Sequence, residues 1–154
     1  MDPKQQRGYL NNNPGNLDRS EPPWNGEIRD ADDARLTPFQ HHELVYGRFC
    51  VFADSFHGIR ALAKNLLAYF DKDGLKSVTQ LIERWAPNQE NNTTAYINNV
   101  CAMIRVTPND KIDLHNQTVL QAMASAIVRV ECGGMPYTDA EMAAGVAAAL
   151  EYQA

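Results

Sequence analysis

The sequence predicts an α+β fold that is mostly α, with a small β element near the start and about five helices. Three observations predict it. Composition divides the chain: residues 1–55 are rich in Pro, Gly, Asn and Asp, whereas residues 56–154 carry apolar residues at helical spacing. Capping residues and Gly or Pro punctuate that second part at regular intervals. The run Arg48-Phe-Cys-Val-Phe52 is short, aromatic and β-leaning. With 154 residues the chain fits one domain over 1–154, long enough for a hydrophobic core, with residues 1–6 as a flexible leader.

Each element has its own local signal. NNNPGN at 11–16 is turn chemistry, because Asn tolerates left-handed backbone and Pro-Gly favours a reversal. Asn25-Gly26 suits a hairpin, and the 48–52 strand is expected to pair with something near Trp24–Ile28. Ala31–Gln40 is acidic and then broken by Pro38, so it reads as loop. Asp54 or Ser55 caps a helix over about Phe56–Phe70, with Ile59, Leu62, Ala63, Leu66, Leu67 and Phe70 on one side. Ser77 opens a short helix through Trp85, stopped before Pro87. A third begins at Asn92 or Thr93 and carries Tyr96, Ile97, Val100 and Ile104 on one face; Pro108–Asp113 follows as a loop. A fourth, over about Asn116–Glu131, is apolar nearly all round and is expected to lie centrally. An Ala-rich fifth runs over about Thr138–Tyr152, with Asp139 and Glu141 suited to its first turn.

Composition narrows the function. A net charge of −5 argues against nonspecific nucleic-acid binding and offers no attraction to an anionic cell wall. No apolar run is long enough to cross a bilayer, and the N-terminus lacks the apolar core of a signal peptide. The expectation is a protein made without a signal peptide. Cys50, Cys101 and Cys132 are odd in number and lack metal-site spacing, so they read as free thiols; His41-His42 reads as solvated loop. No phosphate-binding, dinucleotide, nucleophile-elbow or zinc motif is present. Neither metal nor cofactor is expected, and a hydrolase working with carboxylates is the economical enzyme reading.

The first candidate for chemistry is Glu131. Leu120, Ala124, Ile127 and Glu131 share one stripe of the fourth helix, so the carboxylate closes an apolar stripe. Desolvation there favours the protonated form that a general acid needs. The bland reading is a frayed helix end with Glu131 in water, although a Glu at a helix C-terminus opposes the macrodipole. Asn12, Asn13 and Asn16 are suited to sugar hydroxyls and acetamido groups, and equally to closing turns on their own backbone. Among the aromatics, Trp85 and Phe49 read as core, whereas Trp24 and Tyr96 stay open to a binding role. Glu27, Asp30, Asp32 and Asp33 offer a second carboxylate or a solvated loop.

Taken in order, RGYLNNNPGNL, WNGE, RFCVFADSFHGIRALAKNLLAYFDKDGLKSVTQLIERWAPNQENNTTAYINNV and AIVRVECGGMPY resemble phage and prophage proteins known as virion-associated, or structural, lysozyme-like proteins. The group's pattern is RGIRNNNPGNI, W-x-G, RF-x-x-F, GIRA, RWAP-x-x-EN-x-T-x-x-Y and a late HENG-x-x-PY. The resemblance covers about residues 7 to 150. It implies a lysozyme-like fold acting on peptidoglycan glycan strands. In familiar transglycosylases the Glu-ended helix comes early; here it comes late, so the parts look circularly permuted.

The resemblance makes Glu131 the catalytic acid, since it stands at the Glu of HENG. Asn12, Asn13 and Asn16 would line the cleft or shape its floor. Tyr96 would steady the transition state or orient an acetamido group; Trp24 and Tyr137, the latter in the PY, would join the substrate-binding set. Glu90 would act or cap its helix. The sequence departs from the pattern at Val-Glu-Cys-Gly, where the His and Asn flanking the Glu are missing. Asp30–Val45 is longer than usual and is a candidate lip or virion contact.

The implied activity is cleavage of the MurNAc–GlcNAc β-1,4 bond. A muramidase needs a second carboxylate, whereas a lytic transglycosylase needs one acid/base and closes a 1,6-anhydro ring with the substrate's own hydroxyl. The competing reading is a non-catalytic virion structural protein, and a third is an effector delivered to a rival's periplasm. The resemblance implies a protein made in the bacterial cytoplasm that, without a signal, needs a holin, a virion or a secretion machine. A virion or delivery machine is thus a candidate partner, and the enzyme readings place the action in the periplasm or cell wall.

Overall fold

Capped amphipathic segments account for most of the architecture. A computed structural model of the chain describes residues 2–86 and 93–151. Among these are helices α1 (Arg7–Leu10), α2 (Pro38–Tyr46), α3 (Ser55–Lys72), α4 (Val78–Trp85), α5 (Thr93–Ile104), α6 (Gln117–Glu131) and α7 (Asp139–Leu150). Strands β1 (Glu27–Ile28) and β2 (Val51–Phe52) pair antiparallel, Glu27 opposite Phe52 and Ile28 opposite Val51. The mostly helical α+β expectation therefore holds.

The caps fall where the sequence puts them. Asp54, Ser77, Asn116 and Thr138 each accept a backbone N–H in the first turn of α3, α4, α6 and α7, and Glu141 completes a capping box with Thr138. Asn92 and Tyr152, named as helix ends, lie outside the described residues.

Two expectations need correction. The loop expected through Gln40 ends at Thr37, which forms a capping box with Gln40 and starts α2 at Pro38; His41 and His42 lie on that helix, exposed. Near the start of the chain Pro3–Gln5 forms a 3-10 turn capped by Asp2. Asn25-Gly26 makes a tight turn, with Glu27 N donating to Trp24 O at 3.1 Å, but no hairpin, whereas the expected pairing of the 48–52 strand with residues near 24–28 is present as β2 on β1.

The main core joins α3 to α7. Helix α6 lies between α3, α5 and α7, burying Leu120, Met123, Ala124, Ala126, Ile127 and Val128. A smaller cluster of Leu17, Cys50, Phe52 and Ala61 ties the irregular N-terminal part to α3, with Trp24 and Trp85 packed against it. All three cysteines are free and buried. No helix among the described residues is long and apolar enough to cross a membrane.

Candidate functional site

The asparagine stretch is a pinned loop. After the single turn of α1, Asn12 and Asn16 take left-handed backbone, at φ 54° and 49°, which Asn tolerates better than most residues. Asn13 is fully buried: its Oδ1 accepts from Leu17 N at 3.0 Å, and its Nδ2 donates to Leu17 O and Cys50 O, both at 3.0 Å. Asn12 Nδ2 donates to Phe52 O at 3.0 Å. Asn11 Nδ2 donates to the buried carboxylate of Glu43 on α2, at 3.0 Å, and Glu43 also accepts Phe49 N at 3.2 Å. Gly58 of α3 lets this loop approach, since a Cβ there would lie 1.7 Å from Asn12 O.

These anchors leave Asn16 to face α6. Its Nδ2 donates to Glu131 Oε1 at 3.2 Å, across 115 residues of sequence. Glu131 is the last residue of α6. Gly133 follows with φ +66°, and Gly134 N donates back to Arg129 O at 3.0 Å, a closure that ends the helix cleanly beyond the carboxylate. The other oxygen, Oε2, accepts the Tyr96 hydroxyl at 3.0 Å. Tyr96 reaches it from α5, where it is buried. Burial, together with the neighbouring Glu131 charge and that hydrogen bond, raises the Tyr96 phenol well above its ordinary range, so it stays a donor. Glu131 itself is half-buried, with both oxygens oriented.

Glu131 opens on a cleft of about 530 Å³. One wall is the N-terminal part, with Arg7, Asn16, Asp18 and Trp24; Arg48 and Phe49 continue it. The helical wall brings Asn65 and Tyr69 from α3 and Trp85 from the end of α4. Tyr69 meets Trp85 edge-on at 6.3 Å. A carboxyl group held by two donors beside aromatic surfaces can exchange one proton with a bound polar ligand.

Glu131, Asn16 and Trp24 thus line one cleft, and Tyr96 acts on it through Glu131. Asn12 and Asn13 do not line it: their amide nitrogens are committed to backbone oxygens, and sealed Asn13 presents nothing to a ligand. Tyr137 lies away from the cleft, buried with its ring 5.6 Å from that of Tyr9, and its hydroxyl has no hydrogen-bond partner among the described residues. Of the proposed second carboxylates, Glu27 is sealed against Arg29 and the Trp24 N–H, and Asp30 is exposed and accepts from Asp32 N; neither lines the cleft. Asp18 does, paired with Arg48 at 3.0 Å. Glu90 lies outside the described residues.

Sequence reasoning placed Trp85 and Phe49 in the core; both are half-buried and line the cleft, and Trp85 packs against the core as well. It passed over Arg7, Asp18, Arg48, Asn65 and Tyr69. For Arg7 and Arg48 the available signal was position, each opening a block of the pattern already noted.

Fold and site together define a mostly helical α+β protein whose N-terminal asparagine loop meets a glutamate-ended helix across an aromatic cleft. No protein-family model matches the chain. It is 36% identical over 140 residues to Protein P5 of Pseudoalteromonas phage PM2, an alignment covering 90% of this chain and 79% of that protein. The chain belongs to the family of that phage protein.

Proposed function

We propose that the protein is a phage-type peptidoglycan glycosidase that cleaves the MurNAc–GlcNAc β-1,4 bond with Glu131 as its acid/base. The observation that carries the reading is the Glu131 carboxyl at the wall of the cleft, oriented by Asn16 on one oxygen and Tyr96 on the other. Trp24, Tyr69 and Trp85 supply faces on which sugar rings stack. Glu131 protonates the glycosidic oxygen as the bond breaks, and Tyr96 and Asn16 stabilise the carboxylate left behind. The proton then returns to Glu131 from the attacking hydroxyl.

The identity of that hydroxyl separates two outcomes. With the substrate's own C6 hydroxyl the product is a 1,6-anhydro ring, and one carboxyl suffices. Asp18, exposed and paired with Arg48 at 3.0 Å, is the other carboxylate on the cleft, and Glu131 alone of the two has both oxygens held by donors, which favours the single-Glu route. Purified sacculi treated with the protein are expected to release anhydro-muropeptides by mass spectrometry. Reducing ends would mean a muramidase, and no release by the folded protein would sink the enzyme reading.

A second reading is a virion structural protein that keeps a lysozyme-like, permuted fold without activity. Kinship with a phage protein favours it, as does Val-Glu-Cys-Gly where the lysozyme-like group carries HENG. Either way the partners are a virion or delivery machine, and the enzyme reading adds the glycan strand.

A further inference from the structure

The cleft carries a cationic feature that proton transfer by Glu131 does not use. The guanidinium carbons of Arg7 and Arg48 lie 4.0 and 4.8 Å from the centre of the Phe49 ring. All three residues line the cleft. Phe49 is held from both sides of its peptide: its N–H donates to Glu43 Oε2 at 3.2 Å, and its carbonyl accepts from Arg19 Nη1 at 2.8 Å. The ring is therefore a fixed platform that positions two cations. Among the described residues the carboxylate that pairs with Arg48 is Asp18, in a pair whose side chains are 75% and 62% exposed, a contact weak enough to exchange for a ligand. Among the described residues no carboxylate pairs with Arg7. In a chain of net charge −5, two arginines stacked on one ring in the cleft are not the overflow of a basic surface.

We propose that Arg7 and Arg48, set on Phe49, form a subsite for a carboxylate carried by the glycan, so that the cleft selects acidic muramyl-type saccharides over neutral chitin-type ones. The proposal rests on the glycan-cleft reading above but not on catalysis. Planar guanidinium groups take a carboxylate through paired hydrogen bonds, and Asp18 holds that place when the cleft is empty. The carboxylate has two sources, the lactyl ether of the sugar and the stem peptide attached to it.

Binding tests this directly, because the chain has two tryptophans and both line the cleft, so quenching of their fluorescence reports occupancy. Three ligands are titrated: a GlcNAc–MurNAc disaccharide with free lactyl carboxylate, the same disaccharide bearing a tetrapeptide, and neutral chitobiose. Wild type is expected to bind at least one acidic ligand about tenfold more tightly than chitobiose, with the preference shrinking as salt rises. Preference for the first assigns the lactyl group; preference for the second alone assigns the stem. Arg7→Ala/Arg48→Ala is expected to bring the ratio to about twofold or less, while Arg7→Lys and Arg48→Lys keep part of it. The Lys variants carry the test if the double variant does not fold. Equal affinity for acidic and neutral ligands, no binding of any ligand, or an unchanged ratio in folded variants would each overturn the subsite. Discrimination without cleavage of sacculi would leave the subsite standing and remove the glycosidase.

Discussion

Tyr96 and Glu131 are 35 residues apart in sequence and 3.0 Å apart in space, and that contact sets what each does. Tyr96→Phe removes one of the two donors to the carboxylate while keeping the ring in the core. Activity on sacculi is expected to fall about 10- to 100-fold with little change in melting temperature. Equal activity in the two proteins would reduce Tyr96 to packing. Tyr137 predicts the opposite. Its buried hydroxyl has no described partner, so Tyr137→Phe should leave stability unchanged or raise it by up to about 1 kcal/mol, and should leave activity intact. Two thiols give a pH test. Burial pushes Cys50 up to about 12 and Cys132 up to about 11, from 9.0 for an ordinary thiol. In the unfolded chain they ionise first, so their contribution to stability is complete below pH 9 and is lost as pH rises through 9 toward 11 and 12. Urea midpoints measured from pH 8 to 11 should fall, and fall less steeply in a Cys50→Ala/Cys132→Ala variant.

At the scale of elements, the asparagine loop and α3 meet at Gly58, where no side chain fits. Gly58→Ala is expected to cost about 3 kcal/mol in chemical denaturation, and to cost activity too, because the displaced loop carries Asn16 away from Glu131. Helices α3 to α7 were legible because apolar spacing and caps coincide in them. Helix α2 was not, although Thr37-Pro38 and Gln40 spell its start. It buries Gln40 and Glu43 and exposes Phe39, Val45 and Tyr46, so its polar face turns inward and no apolar period points to the core. That inversion has a physical cause: Glu43 is the acceptor that holds Asn11 and Phe49, and Gln40 Nε2 donates to Leu10 O at 2.9 Å. The cleft faces of Trp85 and Phe49 were missed for a related reason. A half-buried aromatic has the same spacing as a core one, and only the chain folded against it determines which it is.

Across the whole molecule, the break in composition near residue 55 turns out to be spatial as well. The turn-rich part and the helical part form opposite walls of one cleft, joined beneath it by the small core of Leu17, Cys50, Phe52 and Ala61. Glu131 was legible from its apolar stripe, and Asn16 from its turn chemistry. Their meeting is a long-range property that no local pattern encodes. The account stands on the chemistry of that meeting point. The most direct measurement is the release of soluble muropeptides from purified sacculi by wild type and by Glu131→Gln, with both shown to be folded by their melting curves. The account predicts release by wild type and a loss of at least about 100-fold in Glu131→Gln. Equal release by the two proteins, or none by wild type, would contradict it.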